Sequence, residues 1–119
     1  MQKLILSLFL LLKFTTNAQT FSGIGGAISD DGLPNDYIIN VSALSPSTLD
    51  TTHGLIGVCL NITHTWDSDL NIVLIAPDGT SFTVLSGVGG DGDNFTNSCF
   101  AHTAPTTISS GTPPFTGTF

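Results

Sequence analysis

The sequence predicts an all-β protein, and three observations support that prediction. The chain is rich in Gly, Ser, Thr, Asn and Asp, with 13 glycines among its 119 residues. Beyond its N-terminal segment it lacks the periodicity of an amphipathic helix. Its apolar runs are short and are bounded by turn-forming residues, which is typical of a β-sandwich. About a hundred residues are enough for one small domain of this kind.

The candidate strands follow one another at short intervals. We predict strands over residues 36–43, 55–63, 70–76 and 81–85, and a short strand around 98–101. Residues 86–97 are predicted to form a long, acidic, Gly-rich loop, because Gly and Asp favour turns over strands. The sequence shows no internal repeat.

The two central strands are predicted to form a hairpin. Pro77-Asp78-Gly79 lies between them, and this is a turn sequence because Pro presets its φ angle and Gly accepts a positive one. In the first of these strands, Leu70 and Ile72 belong to one face and Val73 and Ile75 to the other. Since both faces are apolar, we expect this strand to lie between two layers.

The N-terminus has the pattern of an export signal. Lys3 precedes an apolar run over residues 4–12, and Thr16-Asn17-Ala18 is a small-x-small cleavage site. The apolar run is too short for a stable membrane anchor; the alternative is a buried N-terminal helix. We therefore predict a signal peptide over residues 1–18, a Gly- and Ser-rich linker over 19–35, and a secreted or cell-surface protein.

Removal of the signal would leave an acidic chain without cations. Lys3 and Lys13 are its only basic residues, so the formal charge would become −9, two units below the −7 of the whole chain. Asp carboxylates then have no Lys or Arg with which to form salt bridges. Nucleic-acid binding is excluded, because no Lys or Arg remains to neutralise phosphates.

Cys59 and Cys99 are the only cysteines. An even number in an exported chain predicts one disulfide, the alternative being two buried free thiols. Closing a loop of about 40 residues would stabilise the fold by roughly 4 kcal/mol in the chain-entropy model.

Three motifs in order carry a family resemblance. They are His64-Thr65-Trp66-Asp67-Ser68-Asp69-Leu70 with the later Pro77-Asp78-Gly79-Thr80 turn, the acidic Gly-rich segment 89–95, and the segment 111–119 around Pro114-Phe115. Together they resemble the P domain (P/Homo B domain) of kexin- and furin-type subtilisin-like proprotein convertases, a domain also found in bacterial secreted proteins. The resemblance covers residues 36–119.

The resemblance implies a fold and a function. It sharpens the fold to a jelly-roll-like β-sandwich, and because the family pattern continues past Phe119, it predicts a sandwich that is incomplete at the C-terminus, with an open edge that favours oligomerisation. It implies a non-catalytic domain in a serine endopeptidase context, which supports the folding and stability of a subtilisin-like catalytic domain or contacts another secreted protein. The alternative is a free-standing adhesion or glycan-binding module.

Catalysis by this chain alone is not expected. Neither a Gly-x-Ser-x-Gly elbow nor a subtilisin-like Ser segment is present, so we predict no catalytic triad. The spacing of the three His residues fits no standard zinc set. Trp66 is either a packing anchor or a stacking platform for a ligand.

The candidate metal ligands are carboxylates. Each of two loops, one polar and one rich in Gly, has a pair of Asp residues separated by a single residue: Asp67 and Asp69, and Asp91 and Asp93. Calcium favours several oxygen ligands at relaxed geometry. The alternative is that these residues only form turns and cap strands. We predict calcium as the cofactor at these four residues.

Overall fold

The computed structural model describes residues 18–29 and 31–119. The predicted export signal lies almost wholly outside them. The chain divides into two compact units, Met1–Leu49 and Asp50–Phe119, which are described separately. The described part of the chain contains no helix that is long and apolar enough to cross a membrane.

The described part of the first unit contains neither a helix nor a strand. Its chain is held by side chains that bond to the backbone: the Gln19 amide bonds the Ala43 carbonyl at 3.1 Å, and the Tyr37 hydroxyl donates to the Ala27 carbonyl at 2.8 Å. The strand predicted over 36–43 is therefore wrong. Its residues Ile38 and Val41 are 75% and 56% exposed, so no layer of the described residues buries the apolar pattern that motivated the prediction.

The second unit contains five strands in two sheets. The strands are β1 (Val58–Ile62), β2 (Asn71–Ile75), β3 (Ser81–Ser86), β4 (Phe95–Phe100) and β5 (Phe115–Thr118). The first sheet has the order β1-β4-β5, with β1 antiparallel and β5 parallel to β4, and the second pairs β2 with β3. The all-β fold is confirmed, and the jelly-roll arrangement stays a prediction.

The hairpin prediction is confirmed at the β2–β3 turn. The Ala76 amide donates to the Thr80 carbonyl at 2.8 Å, and Gly79 has the positive φ, 86°, that the turn requires. The expectation that β2 lies between two layers is wrong. Ile72 on one face is half-buried, but Val73 and Ile75 on the other are 41% and 62% exposed, because no layer of the described chain covers that face.

The core of the second unit is aromatic. Phe95 and Phe115 are each 1% exposed, and their rings stack at 5.0 Å. The Ser98 hydroxyl, also buried, donates to the Phe115 carbonyl at 2.7 Å and so ties β4 to β5. Leu70 and Leu85 are the other buried apolar residues of the described chain. The core therefore lies where β4 and β5 begin, directly beside the candidate acidic loops.

The disulfide prediction is confirmed. Cys59 and Cys99 are bonded and stand directly opposite each other in β1 and β4. The described chain has no free cysteine. The bond joins two strands that are distant in sequence, 40 residues apart, and thereby constrains the unfolded chain.

Candidate functional site

The candidate site consists of two loops that lie side by side. We call residues 64–70 the acidic loop and residues 87–94 the Gly-rich loop. The Asp67 amide donates to the Gly92 carbonyl at 2.7 Å, and the Ser68 amide donates to the Gly90 carbonyl at 3.2 Å. These bonds fix one loop against the other, although neither loop belongs to a sheet.

A reciprocal pair of bonds closes the end of this arrangement. The His64 amide donates to the Asn94 side-chain oxygen at 3.1 Å, and the Asn94 amide donates to the His64 carbonyl at 3.1 Å. Asn94 adopts a left-handed backbone with φ of 74°, which Asn tolerates better than most residues. The chain can therefore turn directly from the Gly-rich loop into the buried Phe95.

Trp66 has an unusual backbone for a bulky residue. Its φ and ψ are 62° and 70°, in the left-handed region, which costs roughly 1–2 kcal/mol for a residue with a Cβ. Its amide donates to the Asp93 carboxylate at 3.3 Å, and its carbonyl accepts the Asp69 amide at 2.9 Å. The side chain is 58% exposed, so it does not act as a packing anchor.

Asp67 is the most unusual acidic residue of the described chain. It is 0% exposed, and neither of its carboxylate oxygens has a hydrogen-bond partner. Burial raises the pKa of this carboxyl above its usual value, and the nearby charge of Asp93 raises that pKa further, while the Asn94 amide and His64 oppose the shift. A buried carboxylate without a partner is costly. A proton or a bound cation at this position would neutralise the charge and reduce that cost.

The other three candidate ligands are accessible to solvent. Asp69, Asp91 and Asp93 are all exposed, and they occupy the same two adjoining loops as Asp67. In the described residues no three or more His, Cys, Asp or Glu side chains are arranged to hold a metal ion. A calcium ion here would therefore need backbone carbonyl oxygens or water among its ligands, both of which calcium accepts.

Two residues of this region were not predicted as site residues. Gly89 packs directly on Asp67 with φ of 106°, and a Cβ at this position would lie 2.7 Å from the Asp67 Cβ and 2.9 Å from the Phe115 ring. His64 is half-buried, and its Nδ1 is buried without a partner. Both residues lie within the motifs that suggested the family, but only tertiary contacts show what they touch.

Comparison with known families identifies the segment that contains both loops. Residues 54–111 match the family model of the proprotein convertase P-domain. This segment of the chain is a P domain. No curated protein and no solved structure matched the chain.

The matched P-domain segment includes β1 to β4, the acidic loop and the Gly-rich loop, and it ends before β5. The P domain is a non-catalytic domain of subtilisin-like proteases, in agreement with the absence of a triad motif from the sequence. The family match thus gives the class of this module.

Proposed function

We propose that the chain is an exported, non-catalytic accessory module of a subtilisin-like serine endopeptidase. Its role is to support the folding and stability of the catalytic domain. The P-domain match over residues 54–111 carries this proposal, because domains of this family are normally attached to such a catalytic domain.

An exposed apolar surface supports a docking role. Val73 and Ile75, which share one face of the β2–β3 hairpin, are 41% and 62% exposed. Apolar side chains that are exposed together on one hairpin are typical of protein-binding surfaces. A catalytic domain that covered them would gain stability from the apolar area removed from water.

The experiment measures the catalytic domain rather than this chain. A subtilisin-like catalytic domain encoded in the same genome is refolded with and without the purified chain, and its yield of active enzyme and melting temperature are compared. We expect both to rise. Ile75→Asp should abolish the gain, while Asp78→Asn, in the turn of the same hairpin, should leave it unchanged.

Two results would contradict the proposal. One is a catalytic domain whose yield and melting temperature do not respond to the chain. The other is binding of the isolated chain to a defined glycan, which would favour the free-standing adhesion or glycan-binding module.

We also propose that calcium binds between the two loops. The support is the buried Asp67 carboxylate, whose two oxygens lack partners, beside the charge of Asp93. Asp67, Asp69, Asp91 and Asp93 supply the candidate carboxylates, with carbonyl oxygens of the Gly-rich loop or water completing the ligand set. The ion would offset the cost of a buried charge and hold the two loops together.

A further inference from the structure

Trp66 is an exposed aromatic side chain on a rigid support. It is the only Trp of the chain, and it is 58% exposed. The acidic loop that carries it is bonded along its length to the Gly-rich loop, through the Asp67, Ser68 and Trp66 amides. A rigid aromatic residue loses little entropy when a ligand covers it, which is why Trp is enriched at the centres of binding sites.

The surroundings of Trp66 are acidic. Asp69 lies on the same loop, and Asp91 and Asp93 lie on the adjoining Gly-rich loop; all three are exposed. Asp93 is fixed beside Trp66 by its bond to the Trp66 amide. A cation above the indole would meet both the negative face of the ring and these carboxylates.

The described residues include no Lys or Arg that could lie beside these carboxylates. The only basic residues of the chain, Lys3 and Lys13, fall outside the described residues. Among the described residues, the one ion pair is between His53 and Asp50 at 3.3 Å, within a single turn. In the calcium-free protein, the negative charge around Trp66 is therefore available to a partner.

We infer that Trp66 and the carboxylates beside it bind a basic segment of a protein partner. An Arg side chain stacks on the indole, and its guanidinium pairs with an exposed carboxylate, because Arg combines stacking with bidentate pairing in a way that Lys does not. A neutral sugar could also stack on Trp66, but it would not use the charge of three carboxylates. The inference goes beyond the proposed accessory role, since it names the chemistry of a contact whatever the partner's activity.

The test uses the full chain and fluorescein-labelled nona-arginine, with binding followed by fluorescence anisotropy in EDTA at low salt. A nonapeptide of citrulline, similar in shape but uncharged, is the neutral probe. EDTA removes calcium, so the result is independent of the calcium proposal. Trp66 itself gives a second signal, because every change in intrinsic Trp fluorescence arises at this position.

Trp66→Gly is the central variant. Gly accepts the left-handed backbone of position 66 without strain, so loss of binding cannot be attributed to a backbone that no longer fits. We expect the affinity for nona-arginine to fall by about two- to thirtyfold, the range of a cation–π contact. Circular dichroism of each variant checks that it is folded.

Asp91→Asn and Asp78→Asn form a matched pair that removes one charge each. Asp91 is in the Gly-rich loop, whereas Asp78 lies in the turn at the opposite end of the β2–β3 hairpin. We expect Asp91→Asn to weaken the binding of nona-arginine more than Asp78→Asn does. The citrulline peptide should bind neither variant. Equal losses for the two Asp variants, or unchanged affinity in Trp66→Gly, would overturn the inference and show only diffuse attraction between opposite charges. Binding of a neutral glycan that quenches Trp66, without a response to nona-arginine, would also overturn it.

Discussion

The Asp67 side chain packs so closely against the backbone of Gly89 that a Cβ atom at position 89 would not fit. A Cβ at position 89 would lie 2.7 Å from the Asp67 Cβ and 3.4 Å from its Oδ2. The same Cβ would lie 2.9 Å from the Phe115 ring, which is 1% exposed. The buried acid, the Gly-rich loop and the aromatic core are therefore packed as one cluster.

Gly89→Ala is expected to destabilise the protein strongly. The Cβ would collide with two buried side chains, and φ of 106° is strained for Ala in any case. Overpacking costs about 1–3 kcal/mol and the backbone strain about 1–2 kcal/mol more. Urea unfolding followed by circular dichroism measures the change.

Gly90→Ala is the matched control for Gly89→Ala. Gly90 also has a positive φ, 61°, but a Cβ there would have nothing within 4 Å. It should lose only the backbone contribution, about 1–2 kcal/mol. Equal losses at the two positions would mean that the packing against Asp67 and Phe115 contributes little.

The sequence predicts the hairpin and the disulfide because both depend on local chemistry. The Pro77-Asp78-Gly79 turn determines its own geometry, and two cysteines in a chain that is predicted to be exported leave few alternatives. The β4 strand starts at Phe95, three residues before the predicted start at 98, because Asn97 with φ of 50° interrupts the β pattern while the ladder continues. Local propensity cannot show such an irregularity.

The sequence predicts only part of the candidate site. The alternating Asp residues are visible in the sequence, and the four candidates do occupy two adjoining loops. Their difference in burial is not visible: Asp67 is 0% exposed while Asp69, two residues later, is exposed. That difference arises from the packing of Asp67 against Gly89, which lies 22 residues away in sequence and also adjoins the ring of Phe115, 48 residues away.

Asp67→Asn is expected to separate the stability of the protein from its response to calcium. Replacing an unpartnered buried carboxylate by a neutral amide should raise the free energy of unfolding in EDTA by about 1 kcal/mol or more. The same variant should lose the gain that calcium gives the wild type, which is about 2.7 kcal/mol at a calcium concentration of 100 times the Kd.

Thermal unfolding in EDTA, calcium and magnesium at matched ionic strength measures both effects. Asp93→Asn should also reduce the calcium gain, and Asp78→Asn should keep it. A rise in melting temperature that magnesium reproduces, or that survives in Asp67→Asn, would show ionic screening or another site in place of the proposed one.

The Asp50 carboxylate holds a local turn over residues 50–53, and we expect this turn to lose its stability in acid. The carboxylate accepts the Thr52 hydroxyl and the Thr52 amide, each at 2.7 Å, and the His53 amide at 2.9 Å. The side-chain bond from Thr52, followed by these amides, lowers the pKa of Asp50 from 3.8 to about 2. A lowered folded-state pKa means that the turn's contribution is present above pH 3.8 and is lost as the pH falls towards 2.

An NMR titration of the side-chain carboxyl carbons measures the Asp50 pKa directly. Its midpoint should lie near 2 in the wild type and move up towards the ordinary value of about 3.9 in Thr52→Val, which lacks the hydroxyl but keeps the amide. A midpoint that is already ordinary in the wild type would show that the Asp50 turn does not form.

Trp66→Gly is expected to stabilise the protein while removing its exposed aromatic side chain. The left-handed backbone at φ 62° is strained for Trp and free of strain for Gly. Relief of that strain is worth up to about 1 kcal/mol after the greater flexibility of Gly in the unfolded chain is counted. Because the side chain is 58% exposed, little packing is lost in exchange.

Differential scanning calorimetry of the wild type, Trp66→Gly and Trp66→Ala measures this balance. The Ala variant also removes the ring but keeps a Cβ, so its melting temperature should stay near that of the wild type while the Gly variant melts a few degrees higher. A strained, exposed residue that destabilises its own fold is expected at a binding site. If Trp66→Gly melts below Trp66→Ala, the left-handed backbone at this position is not strained, and the case for a ligand here loses its support from strain.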